Sequence, residues 1–322
     1  MRHPAYNIVG SFLLLFALVS TGAAKEYTFQ FQRIIETKNA PEFSLTLVNG
    51  DVAIVGGEDN RLIIEAVKKV HAVSMDEAAV VADHIEIRVD RSGDKVDVST
   101  NYLRMMNRSP SFWEKVLGMG GSESYGEVDY TITVPIGANI QIVNTAGKMT
   151  VQNVSGNLSL RSSAADISLN AVEGNIDIDN NSGETKGDLL FGSVQVRQAM
   201  GTVDLKWVEG DIRLKAKTAD VAIHQERGSL DVFSSSGSIK IKTNLDSGRD
   251  YFVQTVSGDI EFLVPEIASG RLDITSEMGD IKTEVPVAIE SYSRQGLIGQ
   301  FGRGGVKISL QSGSGDVSVA QF

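Results

Sequence analysis

Few residues in this chain have the types and spacing that chemistry requires. Asp177 and Asp179 stand two apart, which on a strand puts both carboxylates on one outward face, where a pair could do acid–base work or hold a cation. Their alternating setting reads as solvated charge instead. His71, His84 and His224 stand without a partner at a metal-ligand spacing, and there is no Gly-x-Ser-x-Gly elbow and no cysteine. The sequence therefore offers no catalytic, cofactor-binding or metal-binding candidate.

Binding chemistry has more to work with. Arg197, Arg213 and Lys215, with Arg161, recur at outward positions where a row of cations could meet an anionic glycan or envelope polymer, while Lys206, His224 and Lys242 recur on the opposite face. A charged solubilising surface explains the same residues if they pair across strands, for example Arg213 opposite Asp231 eighteen residues later. A second candidate is the irregular insertion at 101–124, which holds Met105, Met106, Phe112 and Trp113 beside Arg104 and Arg108. Met, Trp and Arg together suit an adaptable partner-binding element, although the same stretch could simply cover one end of a repetitive fold.

The elements that must position these residues come from a nine-residue grid. A small residue is followed by an aliphatic–polar–aliphatic run, as in Gly147-Lys148-Met149-Thr150-Val151, Gly156-Asn157-Leu158-Ser159-Leu160 and Gly174-Asn175-Ile176-Asp177-Ile178. Each frame is one short strand with a corner before it, and the spacing leaves no room for a crossover helix. Such strands bury their apolar rows by stacking, which predicts an all-β, parallel β-solenoid, a flattened β-helix or β-roll. Val154, Val172, Leu190 and Val208 recur every 18 residues two places before alternate corners, so about 18 residues and two strands make one coil. Glu226 breaks that series, and a three-sided coil also fits. The frame at Gly183 puts Thr185 and Gly187 at aliphatic positions, with the motif reappearing four residues later at Gly187, so an irregular rung is expected there.

Residues 1–24 read as a signal peptide: Arg2, an apolar run centred on Phe12-Leu13-Leu14-Leu15-Phe16, then Thr21-Gly22-Ala23-Ala24 before Lys25. That run is short for a membrane span, and no later run is long enough. The formal charge is −11, and losing Arg2 makes it −12, which argues against general binding of nucleic acid or anionic lipid. Export to the periplasm, cell surface or medium follows from the leader.

Residues 25–140 read as a β-rich capping region and 141–322 as the repeat region. Asn49-Gly50-Asp51-Val52 is read as a corner rather than a hairpin, Ser74-Met75-Asp76-Glu77 as a capping box that opens a short helix, and the Gly-rich 295–305 segment as a connector.

With Leu47-Val48-Asn49-Gly50-Asp51-Val52-Ala53-Ile54, Val128-Asp129-Tyr130-Thr131-Ile132-Thr133-Val134-Pro135 and Ser312-Gly313-Ser314-Gly315-Asp316-Val317 in place, the chain resembles the bacterial putative-adhesin family with β-strand repeats, a domain of unknown function. The resemblance implies an exported or surface β-solenoid with no catalytic residue to carry over. The expected function is a non-catalytic adhesin-like or cell-envelope interaction module whose partner is an envelope protein or glycan. The alternative is a polysaccharide lyase or hydrolase acting on an anionic glycan, because such enzymes also use parallel β-helices.

Overall fold

The computed structural model describes residues 25–103 and 126–322, so the segment read as a leader and the candidates Met105, Met106, Phe112 and Trp113 lie outside the described residues. The described chain is all β apart from one short helix, and it divides into two compact units at Ala138 and Asn139.

The first unit holds β1 (Lys25–Glu36), β2 (Glu42–Asn49), β3 (Val52–Gly57), β4 (Arg61–Ala72), α1 (Met75–Asp83), β5 (Ile85–Ser92), β6 (Lys95–Tyr102) and β7 (Glu127–Pro135). β1, β4 and β7 pair antiparallel, and β3 joins β7 in parallel. β5 and β6 form an antiparallel hairpin, and β2 pairs with β6 in parallel. Asn49-Gly50 is a corner, as its sequence context suggested, since β2 and β3 leave it for different partners. The helix starts where the capping box placed it: Ser74 Oγ accepts from the Glu77 N–H at 3.2 Å, and Ala78, Val81 and Ala82 are buried.

The second unit opens with β8 (Asn139–Ser155), β9 (Leu158–Glu173), β10 (Ile176–Asn180), β11 (Glu184–Phe191), β12 (Val194–Glu209), β13 (Ile212–Arg227), β14 (Leu230–Ser236) and β15 (Ile239–Thr243). The pairings among neighbouring repeats are parallel and offset by 18 residues, apart from one register change between β12 and β13, with two straight stretches per repeat, a β-solenoid-like arrangement. One buried ladder runs Ile140, Leu158, Ile176, Val194, Ile212, Leu230. The facing ladder runs Met149, Ile167, Thr185, Val203, Val221, Ile239. Corners stack on corners: at Gly201 (φ +113°) a Cβ would stand 2.0 Å from the Gly183 carbonyl oxygen one coil below, which is why the grid carries glycine.

The rung at Gly183 is in regular register, contrary to the shifted motif expected there. Thr185 stays in the buried ladder and donates from Oγ1 to Gln198 Oε1 at 2.9 Å, while the volume missing at Gly187 is filled by Leu190 and Leu205, which a Cβ would approach at 2.6 and 3.0 Å. The irregularity sits one coil later, between β12 and β13.

The remainder is β16 (Asp250–Ser257), β17 (Ile260–Val264), β18 (Gly270–Ser276), β19 (Ile281–Thr283), β20 (Ala288–Ser293), β21 (Gly296–Phe301), β22 (Val306–Ser314) and β23 (Val317–Gln321). Here chain order and spatial order part. β22 pairs in parallel with both β16 and β18, and β23 with both β17 and β19, so the last repeat in sequence is slotted between two earlier ones. The 295–305 segment is no connector. β21 pairs antiparallel with β18 and β20 and buries Leu297 and Phe301, and Gly299 between them lets the strand lie close against its neighbours.

Candidate binding surface on the outer arc

Two residues before each corner of one series lies a buried aliphatic, and the residue before it turns outward with a left-handed backbone. Asn153, Ala171, Leu189 and Trp207 have φ of 57°, 52°, 56° and 54°, one per 18-residue coil. Asn tolerates this conformation; Leu and Trp adopt it only where the surrounding fold imposes it. The inward Val154, Val172, Leu190 and Val208 supply that force by being locked into the core. Leu189 and Trp207 are consequently displayed, at 42% and 49% exposure, with Phe191 beside them at 38%.

A register change then brings a partner to the indole. Leu205 pairs with Ile223 but Val208 with Gln225, so Lys206 and Trp207 together oppose the single residue His224. The Trp207 and His224 rings are tilted 47° with centroids 4.3 Å apart. Register returns at Glu209 and Arg227, which leaves Glu226 as the extra residue of β13. This explains the break in the apolar series: Gln225, not Glu226, occupies the buried slot, and its amide donates to the carbonyls of Gly210 at 2.8 Å and Ser229 at 3.0 Å.

Glu226 thus turns outward, where its carboxylate lies 3.1 Å from His224 Nε2 and accepts from the Asn244 amide. His224 has an acidic neighbour two residues on, a hydrogen-bond partner rather than a second metal ligand. Partial burial, and next the Lys242 charge, push its pKa down, against the opposing pull of Glu226. Lys242 follows His224 on the next coil, and its Nζ lies 4.2 Å over the ring of Phe322. The sequence signal that could have found this group is the single large aromatic at a position that Asn153 and Ala171 hold in earlier coils.

The cation row is differently placed. Arg197 bridges Asp177 and Asp179, with Nη2 2.8 Å from Asp177 Oδ1 and Nε 3.1 Å from Asp179 Oδ2. The acidic pair is therefore a guanidinium clamp on the next coil rather than free solvated charge, and hydrogen bonding to Asp179 raises the arginine pKa further. Arg213 stands opposite Asp231, Nε to Oδ2 3.5 Å, as its 18-residue spacing suggested. Lys215 neighbours Arg197 and Phe233 and makes no ion pair of its own among the described residues. No group of three or more metal-ligating side chains occurs among the described residues.

Corner acids have a structural duty. Asp211 Oδ1 accepts both the N–H and the hydroxyl of Ser229 at 2.8 Å, Asp220 does the same for Ser238 at 2.8 and 2.9 Å, and Asp166 accepts from the Glu184 N–H at 2.9 Å. Each carboxylate caps the corner one coil above, and the Ser229 backbone N–H lowers the Asp211 pKa first, its hydroxyl second.

A family model described as Toastrack DUF4097 matches residues 80–320, about three quarters of the chain. The chain belongs to the Toastrack DUF4097 family. The match runs from within α1 to within β23 and so takes in nearly all of the repeat-bearing unit. Among solved structures, this Toastrack chain is similar to a putative adhesin from Bacteroides fragilis, with 10% identity, 91% of this chain and 97% of that one covered, and a TM-score of 0.35. A putative lipid binding protein from Parabacteroides distasonis gives 10% identity, coverage of 90% and 96%, and a TM-score of 0.30. A putative cell adhesion protein from Clostridium sporogenes gives 10%, 91%, 99% and 0.27 in the same order. No curated protein matches the Toastrack chain.

Proposed function

We propose that this Toastrack protein is an exported, non-catalytic interaction module, its stacked repeats forming a flattened β-solenoid that mounts a binding surface for a cell-envelope protein or glycan. The observation that carries the reading is the display of Trp207 and Leu189 in left-handed backbone on a frame that is otherwise regular. Strain and exposed aromatic surface both cost stability, and a rigid solenoid can hold them where solubility alone would select Asn. The insertion at 101–124, with Met105, Met106, Phe112 and Trp113, is a second contact element in this reading, and Arg213 and Lys215 an accessory patch. The leader-like sequence of residues 1–24 supports export to the periplasm or the surface, and no helix among the described residues is long and apolar enough to cross a membrane. A polysaccharide-cleaving activity rests on fold analogy alone.

Fluorescently labelled protein, titrated onto isolated cell envelopes, tests the reading. Saturable binding that unlabelled protein competes away, with no release of polysaccharide or peptidoglycan fragments, is expected. Non-saturable binding, or turnover that survives repurification, would overturn it.

A further inference from the structure

The chemistry around Trp207 is mixed in a particular way. Trp207 and Leu189 offer apolar surface, and the half-buried His224 ring backs the indole. At the border stand hydrogen-bonding groups: the Glu226 carboxylate, the Asn244 amide and the His224 imidazole. Charge nearby is largely matched, since Lys206 pairs with Asp204 at 2.9 Å and Arg227 with Glu209 at 3.4 Å. Lys242 has no such partner among the described residues, but it is engaged over the Phe322 ring.

These features discriminate between ligand classes. A polyanion would have to break existing ion pairs and would meet Glu209 and Glu226 as well. A purely apolar partner would bury the carboxylate, amide and imidazole with no hydrogen bonds beyond those they make to one another, leaving their remaining donors and acceptors unmet. A pyranose ring fits both halves of the surface: its axial C–H faces are apolar and lie flat on an aromatic plane, while its equatorial hydroxyls both donate and accept around the rim. We propose that the Trp207 arc is a saccharide site that takes an uncharged hexopyranose unit of a neutral glycan, Trp207 stacking on the sugar face and Glu226, Asn244 and His224 taking its hydroxyls. The inference rests on the binding function proposed above and names its ligand class. The downward direction of the His224 pKa shift favours the neutral imidazole, whose Nε2–H faces the Glu226 carboxylate and whose Nδ1 is left to accept from a sugar hydroxyl.

The natural sequence supplies the control. Asn153 occupies the equivalent left-handed position three coils earlier, so Trp207→Asn removes the ring while keeping a residue suited to the backbone. Calorimetric titration of the full chain with cellohexaose, maltohexaose and chitohexaose, with polygalacturonate as the anionic comparison, reads the ligand class. Binding of at least one neutral hexamer is expected, weakened about tenfold or more in Trp207→Asn with the melting temperature held. Glu226→Ala gives a second route should Trp207→Asn fail to fold, and should weaken the same hexamer. Neutral-glycan binding that both variants retain at full strength would overturn the site. Binding of polygalacturonate alone, lost on replacing Arg213 and Lys215 by Ala, would overturn the neutral-sugar class while leaving the interaction module standing. Saturable envelope binding without affinity for any saccharide would overturn the inference alone, and absence of both would remove the functional reading beneath it.

Discussion

Trp207 on one coil faces His224 on the next, rings 4.3 Å apart, because two residues of β12 oppose one residue of β13. Burial first, and Lys242 second, hold the histidine below its ordinary value of 6.5. The unfolded chain therefore binds a proton more readily than the folded one, so stability is full above about pH 6.5 and falls as pH drops towards the folded value. Melting temperatures between pH 8 and pH 5 should decline more steeply for the wild type than for His224→Gln. Parallel curves would show that the imidazole titrates alike in both states.

Gln225 fills a core slot with an amide. Gln225→Ala strips the donors from the Gly210 and Ser229 carbonyls and should destabilise by about 1–3 kcal/mol. Gln225→Val restores the apolar series of Val154, Val172, Leu190 and Val208 yet leaves the same carbonyls without their donor, so it should also destabilise. Denaturant midpoints decide; a stabilised Val variant would refute the bridging role.

Corner stacking makes Gly201 sensitive. Gly201→Ala places a Cβ 2.0 Å from the Gly183 oxygen in a backbone region that costs an L residue roughly 1–3 kcal/mol before any clash. Urea unfolding should shift by at least that much, whereas Gly93→Ala, in a hairpin turn with open space around the added methyl, should cost only the backbone term.

Ile212 lies between Val194 and Leu230 in the first buried ladder. Ile212→Asp puts an unpaired carboxylate there and should cost roughly 3–5 kcal/mol. Unchanged thermal stability would mean the ladder is assigned to the wrong face.

Removing residues 306–322 deletes β22 and β23 from between β16–β17 and β18–β19. The gap cannot close as a frayed end would, because both neighbours lose their pairing at once. The truncated protein should melt early or associate through the exposed edges, read by circular dichroism and sedimentation. A cooperative, monomeric truncation would show that the end coils do not depend on the slotted pair.

Local rules explain part of this fold: the period-two alternation sets which side chains face inward, glycine marks where corners stack, and Ser74 with Glu77 starts the helix. The 18-residue spacing likewise placed Arg213 opposite Asp231. Which repeats become neighbours is settled by long-range packing, because parallel strands with the same alternation can pair equally well with several partners, and nothing local tells β18 to accept β22. The same holds for the arc. A register change between two coils is invisible in either strand alone, yet it turned Glu226 outward, buried Gln225 and set Trp207 against His224. The regular core follows from repetition, and the candidate site follows from the register change that packing imposes between β12 and β13.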